Sequence, residues 1–303
     1  MNEKGELAMQ QIVIMIILIA SFVVLLFFLT RLDLGKTTDR QICHNSVIAR
    51  GSSVLPTNAI PLDCRREYIC LTEDGSCEKM TKPELKEISG EKEEVYSILA
   101  EEMASCWWMF GEGKVNYIGA DLLPKLYCSI CSQVAFDDSL EVFENNVIDE
   151  REFYIYLTKN NVSGKDETYS EYLYDASDIE VIENLLRGQN VLFGSINLSK
   201  QQYIIMGITS DVSKWTWAVA IGGAVAGVAL LPFAPFAAGA VGTAWGASTA
   251  VLVTYGGVGG TAGYFIGPII SGKSGNEFLS PTIIEVNSEE FKALDCEAIS
   301  TLS

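Results

Sequence analysis

From Trp215 to Gly272 the chain carries no charge; Lys214 and Lys273 bracket the stretch, and half of the chain's 26 glycines fall inside it. A run of 18 or more apolar residues reads as membrane-spanning, because about 20 helical residues cross the ~30 Å hydrocarbon layer. This stretch is too long for one crossing and suits two crossings joined by a turn. Leu231-Pro-Phe-Ala-Pro-Phe236 supplies the turn, since paired prolines interrupt a helix. Trp215 and Trp217 suit the lipid–water boundary. Small residues recur four apart: Gly223 and Gly227, Gly242 and Gly246, Gly256 and Gly260, Gly263 and Gly267. Between helices in lipid, close contact of small residues replaces the hydrophobic drive. The expectation is a glycine-zipper helical hairpin, packed on itself or assembling copies of the chain. With no charge along it, an ion pathway or proton relay has no residue to run through.

A second apolar run, Ile12–Leu29, lies near the N-terminus. Its length and the absence of a small-residue cleavage site point to an uncleaved signal anchor rather than a signal peptide. Lys4 alone precedes it, while Arg31, Lys36 and Arg40 follow. By the positive-inside rule that distribution places the polar region in the cytoplasm.

The cysteines point the other way. Cys43, Cys64, Cys70, Cys77, Cys106, Cys128, Cys131 and Cys296 form an even set in the polar regions, which reads as disulfides. Disulfides persist outside the reducing cytosol. A cytoplasmic N-terminus, an exported domain, a hairpin in and back and an exported tail reconcile the pairing with the two apolar runs. Asn161-Val-Ser163 and Asn197-Leu-Ser199 would be usable glycosylation sites on that outer side. Cys128-Ser-Ile-Cys131 could be a redox pair or half a zinc site. The surrounding residues read as a strand, which sends positions 128 and 131 to opposite faces, so structural disulfides to other partners are expected.

Between the two runs lies a polar region with α+β patterning. Glu91–Phe110 is the clearest helix, with Val95, Ile98, Leu99, Met103, Cys106, Trp107 and Phe110 along one apolar stripe. Gly111 or Gly113 can close it in a left-handed cap. Cys106-Trp-Trp-Met-Phe110 reads as core, with a binding patch as the alternative. Arg66–Leu71 and Lys125–Phe136 read as strands, Thr37–Arg50 and Glu150–Lys159 as helices. Val191–Ile196 and Gln202–Ile208 read as a strand pair. Thr282–Val286 would be a strand after the hairpin, and Ser139–Val147 and Ser288–Ile299 short helices.

The chemistry legible here is sparse. His44 is the chain's one histidine, a poor start for a triad or metal site. No nucleophile elbow, zinc-protease, P-loop or dinucleotide motif occurs. The net charge of −18 and the absence of a Lys/Arg cluster argue against nucleic acid. No catalytic, cofactor or metal residue can be named, and no cofactor is expected.

Several segments carry a resemblance: the start KGELAMQQIV, the Cys43/Cys64/Cys70 region, residues 106–114 (CWWMFGEGK) and Cys128-Ser-Ile-Cys131. Together they resemble uncharacterised membrane-anchored, cysteine-containing envelope proteins of small-genome archaea. The start is also similar to archaeal type IV pilins, which are cut after the glycine and carry a glutamate five residues later; here that position is Gln10. The resemblance implies a cell-envelope location and no mechanism.

The expected organisation is a signal-anchor helix over 1–31, a disulfide-braced α+β ectodomain over 32–213, a two-helix transmembrane hairpin over 214–273, and a strand and short helix over 274–303 packing back on the ectodomain. The expected role is a non-enzymatic plasma-membrane protein. Its partners would be the bilayer, further copies of itself or other envelope proteins. A pore-forming protein using the hairpin and a pilin-like subunit are the alternatives.

Overall fold

The structure is a computed structural model. It describes residues 14–24, 34–52, 60–118, 126–175, 191–209, 227–232, 249–257, 260–271, 277–288 and most of 291–299. The chain divides into two compact units, Met1–Ile42 and Cys43–Ser303. In the first, residues 14–24 form helix α1, whose apolar side chains, Ile14 to Val24, are exposed.

In chain order the further elements are α2 (Leu34–Ser52), β1 (Glu67–Thr72), β2 (Glu84–Glu87), α3 (Lys92–Met109), β3 (Tyr127–Phe136), β4 (Val147–Asp149), α4 (Glu150–Lys159), α5 (Tyr169–Tyr174), β5 (Val191–Leu192), β6 (Ser195–Asn197), β7 (Gln202–Thr209), β8 (Gly227–Pro232), β9 (Thr249–Gly257), β10 (Gly260–Ser271), β11 (Glu277–Glu285) and β12 (Glu297–Ala298). Among the described residues, ten strands form one mixed sheet along the path β2-β1-β3-β7-β11-β10-β9-β8, with β12 beside β3 and β5 beside β10. The β2-β1-β3 end is parallel and the rest of the path antiparallel. Separately, β4 and β6 form a two-stranded ribbon.

The middle strands are covered on both faces, which is why β3 and β7 are buried almost throughout. One face packs Tyr127, Cys131, Val134, Ile204, Met206 and Phe278 against the inward stripe of α3, Val95, Leu99, Met103 and Phe110. The other packs Cys128, Ile205 and Leu279 against Leu294 and Phe291 of the C-terminal segment. Cys131 is the extra residue of a bulge: Ile130 pairs with Ile205 and Ser132 with Ile204. A bulge shifts the alternation of faces by one residue, so Cys131 and Val134 share the α3 side.

All eight cysteines are paired. Cys43–Cys64 ties α2 to the segment before β1, and Cys70–Cys77 closes the turn after β1. Cys106–Cys131 rivets α3 to β3, and Cys128–Cys296 rivets the opposite face of β3 to the C-terminal segment. Cys128 and Cys131 thus serve opposite faces and different partners.

The membrane expectations are corrected. Among the described residues no helix is long and apolar enough to cross a membrane. The described parts of the uncharged stretch are strands, not two helices: β8, β9 and β10 run as an antiparallel meander that extends the sheet beyond β11. Gly227, Gly256, Gly260, Gly263 and Gly267 lie in those strands; Gly223, Gly242 and Gly246 lie outside the described residues. The physical reason is twofold. A spacing of four shares a face in a helix, but it also shares a face in a strand, whose period is two. The residues between the glycines, Val251, Val253, Thr254 and Tyr255 in β9 and Tyr264, Phe265 and Ile269 in β10, are β-branched or aromatic and favour strands, whereas glycine costs a helix interior about 1 kcal/mol. The glycine zipper, self-assembly through it and pore formation by a helical hairpin lose their basis. So do the signal anchor, the pilin-like subunit, the bilayer as partner and the plasma-membrane location with its crossing pattern.

Two smaller differences follow from pairing. Val191–Ile196 and Gln202–Ile208 do not pair with each other: β5 joins β10, β6 joins β4, and β7 lies between β3 and β11. The region 139–147 holds turns and a short 3-10 segment, Glu144–Asn146, rather than a helix; Asn145 and Asn146 take left-handed backbone there.

Candidate functional site

Beside its core stripe, α3 carries a second stripe at helical spacing, Glu101, Ala104, Ser105 and Trp108. It forms one wall of an open cleft of roughly 210 Å³. Val162, Ser163 and Lys165, from the turn between α4 and α5, and Tyr172 from α5 form the other wall. This turn is held by paired backbone bonds, Val162 N–H to the Glu167 carbonyl and Tyr169 N–H to the Asn160 carbonyl. A capping box starts α5. The Thr168 hydroxyl accepts from the Glu171 amide (3.2 Å) and the Glu171 carboxylate accepts from the Thr168 amide (2.8 Å), which satisfies two otherwise orphaned donors.

The cleft's side chains are braced from behind. Tyr169 donates its hydroxyl to Glu101 Oε2 at 2.9 Å. Tyr172 donates to Glu112 Oε1 at 2.7 Å. The Lys165 ammonium lies 3.4 Å from the Tyr172 ring centroid, 3.3 Å from Glu112 and 3.6 Å from Glu167. Lys114 also donates to Glu112. Glu112 itself has φ 53°, between Gly111 at 81° and Gly113 at 68°. Three left-handed residues in a row turn the chain sharply after α3, and outside glycine that conformation carries strain. Burial opposes the charge on Glu112, but hydrogen bonds from Lys114 and Tyr172 and the ammonium groups of Lys114 and Lys165 prevail, bringing its carboxyl down to about 2. Burial, and then the bond to that carboxylate, push the Tyr172 hydroxyl up.

Trp108 is braced as well. The His44 ring stacks on the indole, centroids 4.1 Å apart and planes within 8°, and its Nδ1–H donates to the Trp108 carbonyl at 2.7 Å. The adjacent Trp107 is core, packed edge-on against Phe278. The segment Cys106–Phe110 therefore splits between the two roles its sequence allowed: Trp107 packs inside and Trp108 lines the cleft.

A second polar cluster lies outside the cleft, where α4 begins. The Gly194 amide donates to Glu150 Oε2 at 2.7 Å, and the Glu150 amide returns a bond to the Gly194 carbonyl at 3.3 Å. Tyr154 and Tyr174 pack nearby, rings 5.7 Å apart, and Tyr174 donates to the Pro281 carbonyl at 3.3 Å. Burial, against the Gly194 hydrogen bond and with help from Asp149, pushes the Glu150 carboxyl up to about 7. Among the described residues no three His, Cys, Asp or Glu side chains are placed to share a metal ion.

Sequence reading singles out Trp108 only as part of a longer segment, and it misses Glu101, Glu112, Lys165 and Tyr172. Two signals were present: the 101-104-105-108 spacing on the flank of a recognised helix, and the Thr168-x-x-Glu171 capping box. The latter marks a helix start and hence the turn that carries Lys165. None of the glycines or cysteines named from the sequence lines the cleft. No protein-family model, no curated protein and no solved structure matches the chain, so the archaeal resemblance rests on its quoted residues alone.

Proposed function

We propose that the domain is a disulfide-braced, non-catalytic recognition module that takes a small ligand in the cleft between α3 and α5. One observation carries the reading: the charged and aromatic side chains of the cleft each have their own support, Glu101 from Tyr169, Tyr172 and Lys165 from Glu112, Trp108 from His44. Groups fixed before binding lose little entropy on binding, which is where affinity is gained in a small site. The same supports argue against proton-transfer catalysis. A general acid or base works best with a pKa near the operating pH; beside the cleft Glu112 is held near 2 and the one histidine is committed to Trp108, while Glu150, at about 7, lies outside the cleft. Four disulfides suit a protein that works under oxidising conditions.

Saturation-transfer NMR on the full chain, with separate mixtures of monosaccharides, amino acids and nucleosides, tests the reading. At least one mixture is expected to give transfer that vanishes in Ser105→Trp, which fills the cleft. Absence of binding from all three, or transfer that Ser105→Trp leaves intact, would contradict it.

A further inference from the structure

Resting on the recognition reading, we infer that the cleft binds one neutral pyranose ring of a saccharide, laid against Trp108 with its hydroxyls facing Glu101 and Ser163. Size limits the occupant. At roughly 210 Å³ the cleft falls below the roughly 300–1,000 Å³ of sites for drug-sized ligands. Its walls enclose about one ring or one side chain of whatever they hold.

The chemistry of the walls then selects among small occupants. The cleft has one ammonium, Lys165, which is hydrogen-bonded to Glu112 at 3.3 Å, lies 3.6 Å from Glu167 and rests over the Tyr172 ring. An anion entering the cleft finds no cation in need of a partner, and meets Glu101 besides. A cation would be attracted to Glu101, but Lys165 already lies over the Tyr172 ring, and two positive charges in so small a cleft would repel. A wholly apolar ligand would strip water from Glu101 and Lys165 and return no hydrogen bonds, which is costly for charged groups. A neutral polyol avoids all three conflicts. Its hydroxyls both donate and accept.

Glu101 is suited to that role. One of its oxygens, Oε2, takes the Tyr169 hydroxyl, which fixes the carboxylate plane, and a carboxylate has about four acceptor positions. A ring hydroxyl donating to Glu101 forms a charge-assisted bond, stronger than a neutral one. Ser163 is exposed on the facing turn. Trp108 supplies the remaining element, an aromatic surface held flat by the parallel His44 ring 4.1 Å away. An indole offers a large apolar face of the kind that the C–H side of a pyranose covers. Charge balance, size, a fixed acceptor and a braced aromatic ring thus point to the same class of ligand.

The test is titration of the full-length oxidised protein by saturation-transfer NMR and calorimetry. The saccharide probes are methyl glycosides of glucose, mannose and galactose and N-acetylglucosamine; arginine methyl ester and inorganic phosphate are the charged probes. At least one saccharide is expected to bind weakly, with a Kd on the order of 1 mM as befits so few contact atoms, and with transfer strongest to the C–H protons of one ring face. Trp108→Ala should weaken binding at least tenfold. Glu101→Gln, which keeps the packing and removes the charge, should weaken it several-fold at an unchanged melting temperature. Binding of arginine methyl ester or phosphate that Ser105→Trp abolishes, with no saccharide bound, would overturn the saccharide assignment and leave the recognition reading standing. No binding by any of these probes or by the broader mixtures would overturn both.

Discussion

Replacing Glu150 by glutamine should make the domain more stable at pH 8 and leave it unchanged near pH 4. Burial raises the folded-state pKa of this carboxyl to about 7, from an ordinary value of 4.5. For a carboxyl raised in this way the folded state holds the proton more tightly than the unfolded state. No penalty exists below about pH 4.5, where both states are protonated. Between 4.5 and 7 the unfolded chain ionises while the folded chain does not, and stability falls as pH rises. Above 7 the penalty is constant. A tenfold difference in proton affinity between the two states is worth about 1.4 kcal/mol, which sets a ceiling of roughly 3 kcal/mol for this carboxyl. Position in the first turn of α4 favours a negative charge by several tenths of a kcal/mol, so about 2 to 3 kcal/mol is expected. Glutamine keeps an oxygen for the Gly194 amide and cannot ionise. Urea unfolding of the oxidised protein at pH 4 and pH 8, followed by near-ultraviolet circular dichroism, provides the comparison. The wild type should lose stability between the two pH values, and Glu150→Gln should lose markedly less. An identical pH dependence in both proteins would mean that the carboxyl is already ionised in the folded state, and that its burial carries no such penalty.

Other outcomes follow from the same structure. Glu112 is the opposite case, with its folded pKa lowered to about 2; its stabilisation is full above pH 4.5 and disappears as pH falls toward 2. After allowance for solvent screening, Glu112→Gln should cost about 1 kcal/mol at pH 7 and much less at pH 2.5, by urea unfolding at both. Removing the Cys128–Cys296 bond with a paired serine substitution opens a link across 168 residues; the loop-entropy relation gives up to about 5 kcal/mol, read as a lower denaturation midpoint and a loosened C-terminal segment by hydrogen exchange. Thr168→Ala removes the cap of α5 and should cost about 1 kcal/mol, with faster amide exchange at Glu171 and Tyr172 and weaker ligand binding.

Much of the α+β scaffold was legible because its signals are local. The apolar stripe of Glu91–Phe110 and the apolar, cysteine-rich run Lys125–Phe136 correspond to α3 and β3, and Glu150–Lys159 corresponds to α4. β2 escaped notice because Glu-Leu-Lys-Glu looks like surface, and it is: an edge strand with a Lys86–Glu84 ion pair. Charges of this kind protect sheet edges. The uncharged stretch misled for a different reason. Continuous apolar sequence is compatible with a buried strand as well as a helix, and periodicity alone does not separate them. The cleft was hidden because its two walls meet only in the folded chain. Glu101 and Tyr169 are hydrogen-bonded across a sequence separation of 68, and no local pattern announces that approach. His44, read from sequence as unpromising for catalysis, instead supports Trp108.

The most direct test of the account is to follow the Trp108 indole N–H resonance, assigned through Trp108→Phe, while a methyl glycoside is titrated into the protein. A saturable shift of that resonance is expected, absent in Ser105→Trp, with the other tryptophans unmoved. Titration of all four saccharides to tens of millimolar without a shift at Trp108 would contradict it.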